Sequence, residues 1–438
     1  MKRILTVSLV FVILATLLTG TVAGAGSGPL VIKWPHYQVG NVVAAGWRAD
    51  TIKAFNQKFK GKYQMVLEEI GSDQLYKEKL KVLNAADELP PLLEAGKDPA
   101  LCEIMIKQGR LADLKPYLDA DPKWKSTFFP DSIEYNTYDG KILTLPMPYT
   151  NYIGMFYNKE LFAKAGIKEF PKTWDDFFTV CEKLKAKGIT PLAMTTAENA
   201  WCSNLILTAM IAGDVENGGT AWMKSYYPTD FETNKAFISA VAKLQKLFKY
   251  ATPDSIGAPY ATASNNFCSG RAAIIANGPW MIDTFKDPKS APEGFVNKVG
   301  YALYPGNVGI SNVKLHTWAI SSKAPKEVRD ACAEYLKLTT TGKYVVDFMV
   351  QLGYSSPYIP IPASILKKQP QLTQDALKLG GNVKIITPAF ADVWDGLTAN
   401  EASAKEMPLL AMGQITPEEY AKRMTAYAKK YAASKNEQ

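Results

Sequence analysis

Two histidines, His36 and His316, are all that this 438-residue chain supplies. That scarcity bounds its chemistry. A three-histidine zinc site cannot be built from two, and the H-E-x-x-H spacing of metallopeptidases is absent. There is no G-x-S-x-G turn to expose a nucleophilic serine, no phosphate-cradling P-loop and no G-x-G-x-x-G dinucleotide loop. A Ser–His–Asp triad around either histidine therefore lacks its usual carrier. Paired carboxylates for glycoside hydrolysis need only two acids at a suitable separation, and 42 Asp and Glu leave that reading open. The cysteines Cys102, Cys181, Cys202, Cys268 and Cys332 show no C-x-x-C and no metal spacing. Neither a metal nor a cofactor is expected.

Aromatic residues offer a different chemistry. Nine Trp and 22 Tyr occur in the chain. Indole faces stack on the apolar faces of sugar rings while polar neighbours bind the hydroxyls. In an α/β protein such side chains act at the carboxyl ends of strands. Gly278-Pro279 ends the apolar run Ala272–Ala276 and places Trp280 at such an end. Trp34 and His36 close the first strand, and a neutral imidazole offers hydroxyls both a donor and an acceptor. Trp201 follows the strand expected at Thr190–Thr195. Glu94 and Asp98 follow the third strand, where a carboxylate suits bidentate sugar hydroxyls. Trp394 fits a cleft or a helix core equally, and Trp124, Trp174 and Trp222 read as structural. Many aromatics favour an oligosaccharide over an amino acid as ligand. The six arginines do not cluster and so give no case for a phosphate or carboxylate ligand, with Arg48, Arg110 and Arg271 as the residues that would carry one.

The elements that position these residues alternate. Leu30-Val31-Ile32 reads as a buried strand. Ile52, Phe55 and Phe59 then mark an amphipathic helix, Tyr63 to Ile70 a strand, Leu75 to Leu83 a helix and Pro90 to Leu93 a third strand. This order predicts an α/β fold with a largely parallel sheet. Thr173 with Asp176 forms a capping box opening a helix that stops before Gly188. Thr416-Pro417-Glu418-Glu419 is a strong helix start.

Composition excludes other classes. The chain is 47% hydrophobic and 21% charged with net charge +8, and that mild excess is spread rather than clustered, so no nucleic acid partner is expected. Lys2-Arg3, the apolar run Ile4–Leu18 and Ala23-Gly24-Ala25 have the form of a secretory signal spanning residues 1–25, cleaved after Ala25. The run is too short to span a bilayer. No cysteine stands at the cleavage site, so the protein is expected free in a periplasm or secreted, without a lipid anchor.

Several stretches in order carry a resemblance. Tyr138-Asp139-Gly140-Lys141-Ile142-Leu143-Thr144-Leu145-Pro146 is followed by Phe156-Tyr157-Asn158-Lys159-Glu160-Leu161-Phe162 and by Pro171-Lys172-Thr173-Trp174. Phe267-Cys268-Ser269-Gly270-Arg271-Ala272-Ala273 then runs into Asn277-Gly278-Pro279-Trp280. Together they resemble the family 1 extracellular solute-binding proteins, the sugar receptors of ABC importers. Pro90-Pro91 departs from the Pro-Asp found in many relatives.

The resemblance implies a two-lobed periplasmic-binding-protein fold, type II-like, with a ligand cleft between lobes joined by crossing hinge segments. The crossings would fall near Pro148–Tyr152, Tyr304–Val313 and Leu352–Pro357. The lobes would be 26–150 plus 310–352 and 151–309 plus 353–438. Trp280 would stack on sugar, Tyr149 and Tyr152 would line the first crossing, and His316 and Trp318 would follow the second. Function would be capture of a carbohydrate by hinge closure and its delivery, by a monomer, to the membrane permease of an ABC transporter. A secreted glycoside hydrolase or a polysaccharide-binding adhesin is the alternative.

Overall fold

The computed structural model of the protein describes residues 28–40, 44–311 and 318–436. The expected signal at residues 1–25 and His316 lie outside them. Strand Leu30–His36 pairs in parallel with Tyr63–Glu69, and helix Ala45–Lys58 connects them. That helix buries Phe55 against Tyr63 and against Tyr335 of helix Lys326–Thr340, with ring centroids 6.4 and 5.6 Å apart. The first lobe thus draws its core from two stretches of chain, one between residues 30 and 145 and one beginning at Trp318. A lobe assembled from distant stretches cannot fold as a bead on a string.

The second lobe is built on a four-stranded sheet in the order Leu192–Ala193, Ile274–Asn277, Gly154–Asn158, Val299–Ala302. Its largest core element is helix Trp201–Gly213, buried on every face from Cys202 to Ala212. Only a helix with other elements all round it carries so continuous an apolar sequence. The start signals read from sequence are realised. The Thr173 hydroxyl accepts the N–H of Asp176 at 3.1 Å, and the Thr416 hydroxyl accepts that of Glu419 at 3.2 Å. Trp394 resolves to the core, 2% exposed beside Phe231 and Phe390.

The expectation of a largely parallel sheet needs correction. Within the four-stranded sheet only Leu192–Ala193 runs parallel to its neighbour, whereas Gly154–Asn158 is antiparallel to both of its neighbours; a separate pair, Val308–Ile310 with Ile385–Thr387, is parallel. In the first lobe Ala319–Ile320 is antiparallel to Leu92–Leu93. Apart from the tight hairpin of Thr137–Tyr138 with Lys141–Ile142, these exceptions lie where the chain passes between lobes. Gly154–Asn158 enters directly from one crossing, and Ala319–Ile320 follows another. A strand that arrives from the opposite lobe is free of the βαβ connection that enforces parallel pairing.

Three crossing segments lie side by side. Thr150 and Ser355 exchange both backbone hydrogen bonds, at 2.8 and 2.9 Å. Ile153 bridges Ile310, and the Thr150 and Ser311 hydroxyls meet at 2.7 Å. Gly309 and Gly380 leave room for the Tyr152 ring, since a Cβ at either would sit 2.9 or 2.6 Å from it. Gly353, with φ +69°, continues the third crossing against Pro279, where a Cβ would lie 2.6 Å from the proline ring. The five cysteines are unbridged and buried, and burial pushes the Cys181 and Cys202 thiols up to about 12. They serve as small core hydrophobes. No helix among the described residues is long and apolar enough to cross a membrane.

Candidate functional site

A cavity of about 330 Å³ lies between the lobes. Tyr37, Glu94, Lys97 and Trp318 line it from the first lobe, and Trp201 and Trp280 from the second. Trp47 and Arg48, Tyr149, and Phe348 with Tyr354 complete the wall near the crossings. The volume falls in the range of small-molecule sites, and the lining is aromatic with a few charged groups. Where the walls are described, Glu94 is the one carboxylate among them. A larger groove of about 1200 Å³ runs over the outside of the first lobe, away from all of these side chains.

Local backbone geometry sets the indoles. Helix Ala45–Lys58 starts after Ala44 at φ 68°, and helix Trp201–Gly213 after Ala200 at φ 48° with Glu198 at φ 57°. Left-handed backbone at non-glycine residues costs on the order of 1 kcal/mol each and persists where surrounding structure imposes it. Both strained caps stand at helix starts that reach the cavity. The Trp201 indole N–H donates to Asn277 Oδ1 at 3.1 Å, which aims the ring across the strand end toward Trp280, 6.3 Å away. Gly278 makes the Trp280 pose feasible, because a Cβ there would stand 2.1 Å from the indole ring. Trp47 is anchored at 2.8 Å to the Tyr344 carbonyl and packs edge-on against Phe348.

His36 works one layer behind the wall. It is fully buried, with its ring stacked 4.8 Å from Tyr37 and 5.5 Å from Trp318, two residues that do line the cavity. Its Nδ1 accepts the N–H of Gln38 at 3.0 Å, so Nε2 holds the proton and donates to Glu94 Oε2 at 3.2 Å. Burial first, and the Arg48 charge second, pull its pKa down to about 4. The imidazole is thus neutral and fixes the Glu94 carboxylate, whose backbone N–H donates to the Tyr76 hydroxyl at 2.7 Å.

Of the residues expected at the site, Trp280, Trp201, Trp318, Tyr149 and Glu94 line the cavity. Others do not reach it. Trp34 is wholly buried against Trp318 and Tyr335, because the strand end it occupies is covered by helix Lys326–Thr340. Asp98 caps helix Pro99–Lys107 through the N–H of Leu101 and pairs with Lys81 at 3.1 Å. Tyr152 packs in the crossing, its carbonyl accepting from the Tyr301 hydroxyl at 2.6 Å. Tyr37, Trp47, Lys97 and Tyr354 line the cavity without having been expected there. Trp47-Arg48 at a helix start, just past the first strand, is the signal in the sequence that points to the second of these.

The lobes also meet outside the cavity. The Tyr227 hydroxyl donates to Glu103 Oε1 at 3.2 Å, and the Tyr135 and Tyr226 rings lie 5.9 Å apart. The lobes thus touch beside the cavity as well as around it.

A family model described as bacterial extracellular solute-binding protein matches residues 50–379. An uncharacterized ABC transporter extracellular-binding protein of Pyrococcus horikoshii is 27% identical over 224 residues, 49% of this chain and 48% of that one. The maltotriose-binding protein of Pyrococcus abyssi is 27% identical over 300 residues, 66% of this chain and 60% of its own. The chain thus spans about half to two thirds of the length of these relatives. A solved Streptococcus pneumoniae solute-binding protein in complex with the blood group A-trisaccharide has the same fold, with TM-score 0.74 and 22% identity over 91% of this chain and 100% of that one. The family match takes in both lobes and all three crossings, and the chain belongs to the bacterial extracellular solute-binding proteins.

Proposed function

We propose that the protein captures a carbohydrate between its lobes and presents the closed, loaded form to the permease of an ABC transporter, without converting the ligand. The observation that carries this reading is the cavity between the lobes, lined by Trp201, Trp280, Trp47 and Trp318 together with Glu94, Arg48 and Lys97. Flat apolar faces with a few fixed polar groups are what a pyranose offers a partner for. A single lining carboxylate does not make the acid pair of a glycosidase. The names of the Pyrococcus abyssi and Streptococcus pneumoniae proteins, both referring to saccharides, agree with it.

The residues would act as follows. Trp280 and Trp201 stack from the second lobe, Trp318 and Tyr37 from the first, and Glu94 accepts hydroxyls with its orientation held by His36. Ligand bridging both lobes favours the closed state by its extra contacts there. Lobes 26–150 plus 310–352 and 151–309 plus 353–438 would rotate about the paired segments at Thr150, Ile310 and Ser355. The same reading makes residues 1–25 a cleaved export signal and the active species a periplasmic or secreted monomer.

Thermal unfolding against a panel of mono- and oligosaccharides, amino acids and polyols tests the proposal. A ligand at 100 times its Kd adds about 2.7 kcal/mol, a shift of a few degrees for a chain of this size. A shift with saccharides alone is the expected result. A shift with amino acids or polyols and none with saccharides would overturn it.

A further inference from the structure

Arg48 stands apart from the other charged groups of the cavity. Its side chain is 3% exposed, and its guanidinium carbon lies 5.4, 4.9 and 4.9 Å from the ring centroids of Trp34, Trp47 and Trp318. Its two hydrogen-bond partners are neutral: Nη1 donates to the Tyr335 hydroxyl at 3.3 Å and Nη2 to Gln38 Oε1 at 2.8 Å. Nε is buried with no partner. A guanidinium carries five N–H donors, so three find no partner among the described residues. Arg110, Arg271 and Arg423 each pair with a carboxylate, whereas among the described residues none lies within 4 Å of Arg48. Lys97, the other cation at the cavity, has Asp73 at 3.7 Å, and Glu94 has the His36 hydrogen bond.

The cavity therefore holds a buried guanidinium that no carboxylate among the described residues meets directly, Glu94 sharing the space but hydrogen-bonded to His36. Three indole faces offset part of the desolvation cost, since Arg over Trp is a favourable cation–π geometry. They cannot accept the remaining N–H groups. A hydroxyl can accept one of them, whereas a carboxylate can accept two in parallel in the fork geometry that a guanidinium offers. Resting on the carbohydrate reading above, we infer that the ligand is an acidic saccharide, a short uronate whose carboxylate pairs with Arg48 while Glu94 takes a hydroxyl. The scattered arginines give no hint of this in the sequence. A single arginine suffices once it is buried, caged and unpaired.

The experiment is calorimetric titration of the protein with matched pairs of disaccharides: digalacturonate against galactobiose, dimannuronate against mannobiose, and a glucuronate-containing disaccharide against cellobiose. In at least one pair the acidic member should bind 10-fold or more tightly than its neutral counterpart. Arg48→Gln should reduce that preference to about 1, with the neutral sugar's affinity changed much less. The wild-type comparison stands even where the variant does not fold. Neutral members binding as tightly as acidic ones, or more tightly, would overturn the assignment of charge and leave the carbohydrate reading intact. Binding of sugar phosphates with no uronate binding would overturn the carboxylate. No saccharide binding of either kind would overturn both readings together.

Discussion

Trp280→Ala should weaken saccharide binding by at least ~30-fold, the effect of removing a central aromatic anchor worth about 2 kcal/mol or more. The indole lies where three hydrophobic clusters converge, so under the proposed function it would be both a ligand face and a joint between them. A companion substitution separates the two roles. Gly278→Ala keeps the indole but places a methyl group 2.1 Å from its present position, so the ring must move. Pro279, held against Gly353, limits how the backbone can relieve that clash. Gly278→Ala should therefore cost roughly 10-fold in affinity through misplacement alone. Affinity by tryptophan fluorescence, with unfolding followed in parallel, checks both. Full affinity in Trp280→Ala would take the ligand away from this indole.

The second large effect concerns pH. Burial lifts the Asp392 carboxyl to about 7 from an ordinary 3.8, and its Oδ2 has no hydrogen-bond partner. The folded state then keeps a proton that the unfolded chain has released. Between about pH 4 and 7 the folded form binds more protons, so stability falls as pH rises, by up to roughly 4 kcal/mol in total. His36 works the other way. Its pKa is lowered from 6.5 to about 4, so the unfolded chain takes up a proton first as pH falls, and stability drops from pH 6.5 towards pH 4. The two slopes oppose one another across most of that window. Asp392→Asn removes one of them. Its urea-unfolding stability should match wild type near pH 4 and exceed it increasingly up to pH 7. In that variant the His36 slope meets less opposition, that of the buried Asp395 remaining, so stability should rise from pH 4 to 6.5 more than in wild type. Parallel curves for the two proteins from pH 4 to 8 would mean that Asp392 is ionised throughout.

Legibility in the sequence divides along physical lines. Helix starts depend on a few adjacent residues, and Thr173 and Thr416 cap as their spacing predicts. Trp280 is legible because Gly278-Pro279 fixes where a strand ends and which side chain comes next. Trp34 carries the same local signal, an aromatic at a strand end, yet it is buried by helix Lys326–Thr340, about 300 residues further along. No neighbouring residue reports that cover. Tyr149 and Tyr152 divide for a similar reason: the glycines that admit the Tyr152 ring into the crossing are Gly309 and Gly380, remote in sequence. Trp47 and Arg48 sit at the start of an amphipathic helix, where side chains normally face core or solvent. Their role depends on a third stretch of chain, Tyr344 and Phe348, closing over them. Antiparallel pairing of Gly154–Asn158 and Ala319–Ile320 is hidden from a local reading because these strands return from the opposite lobe.

The space between the lobes should take up one saccharide and return it unchanged. Calorimetric titration with a saccharide that raises the unfolding temperature, followed by chromatography of the same sample, addresses it most directly. The expected result is one ligand per chain, loss of that binding in Trp280→Ala, and recovery of the intact saccharide after prolonged incubation. Accumulating cleavage products, or binding that Trp280→Ala leaves untouched, would contradict it.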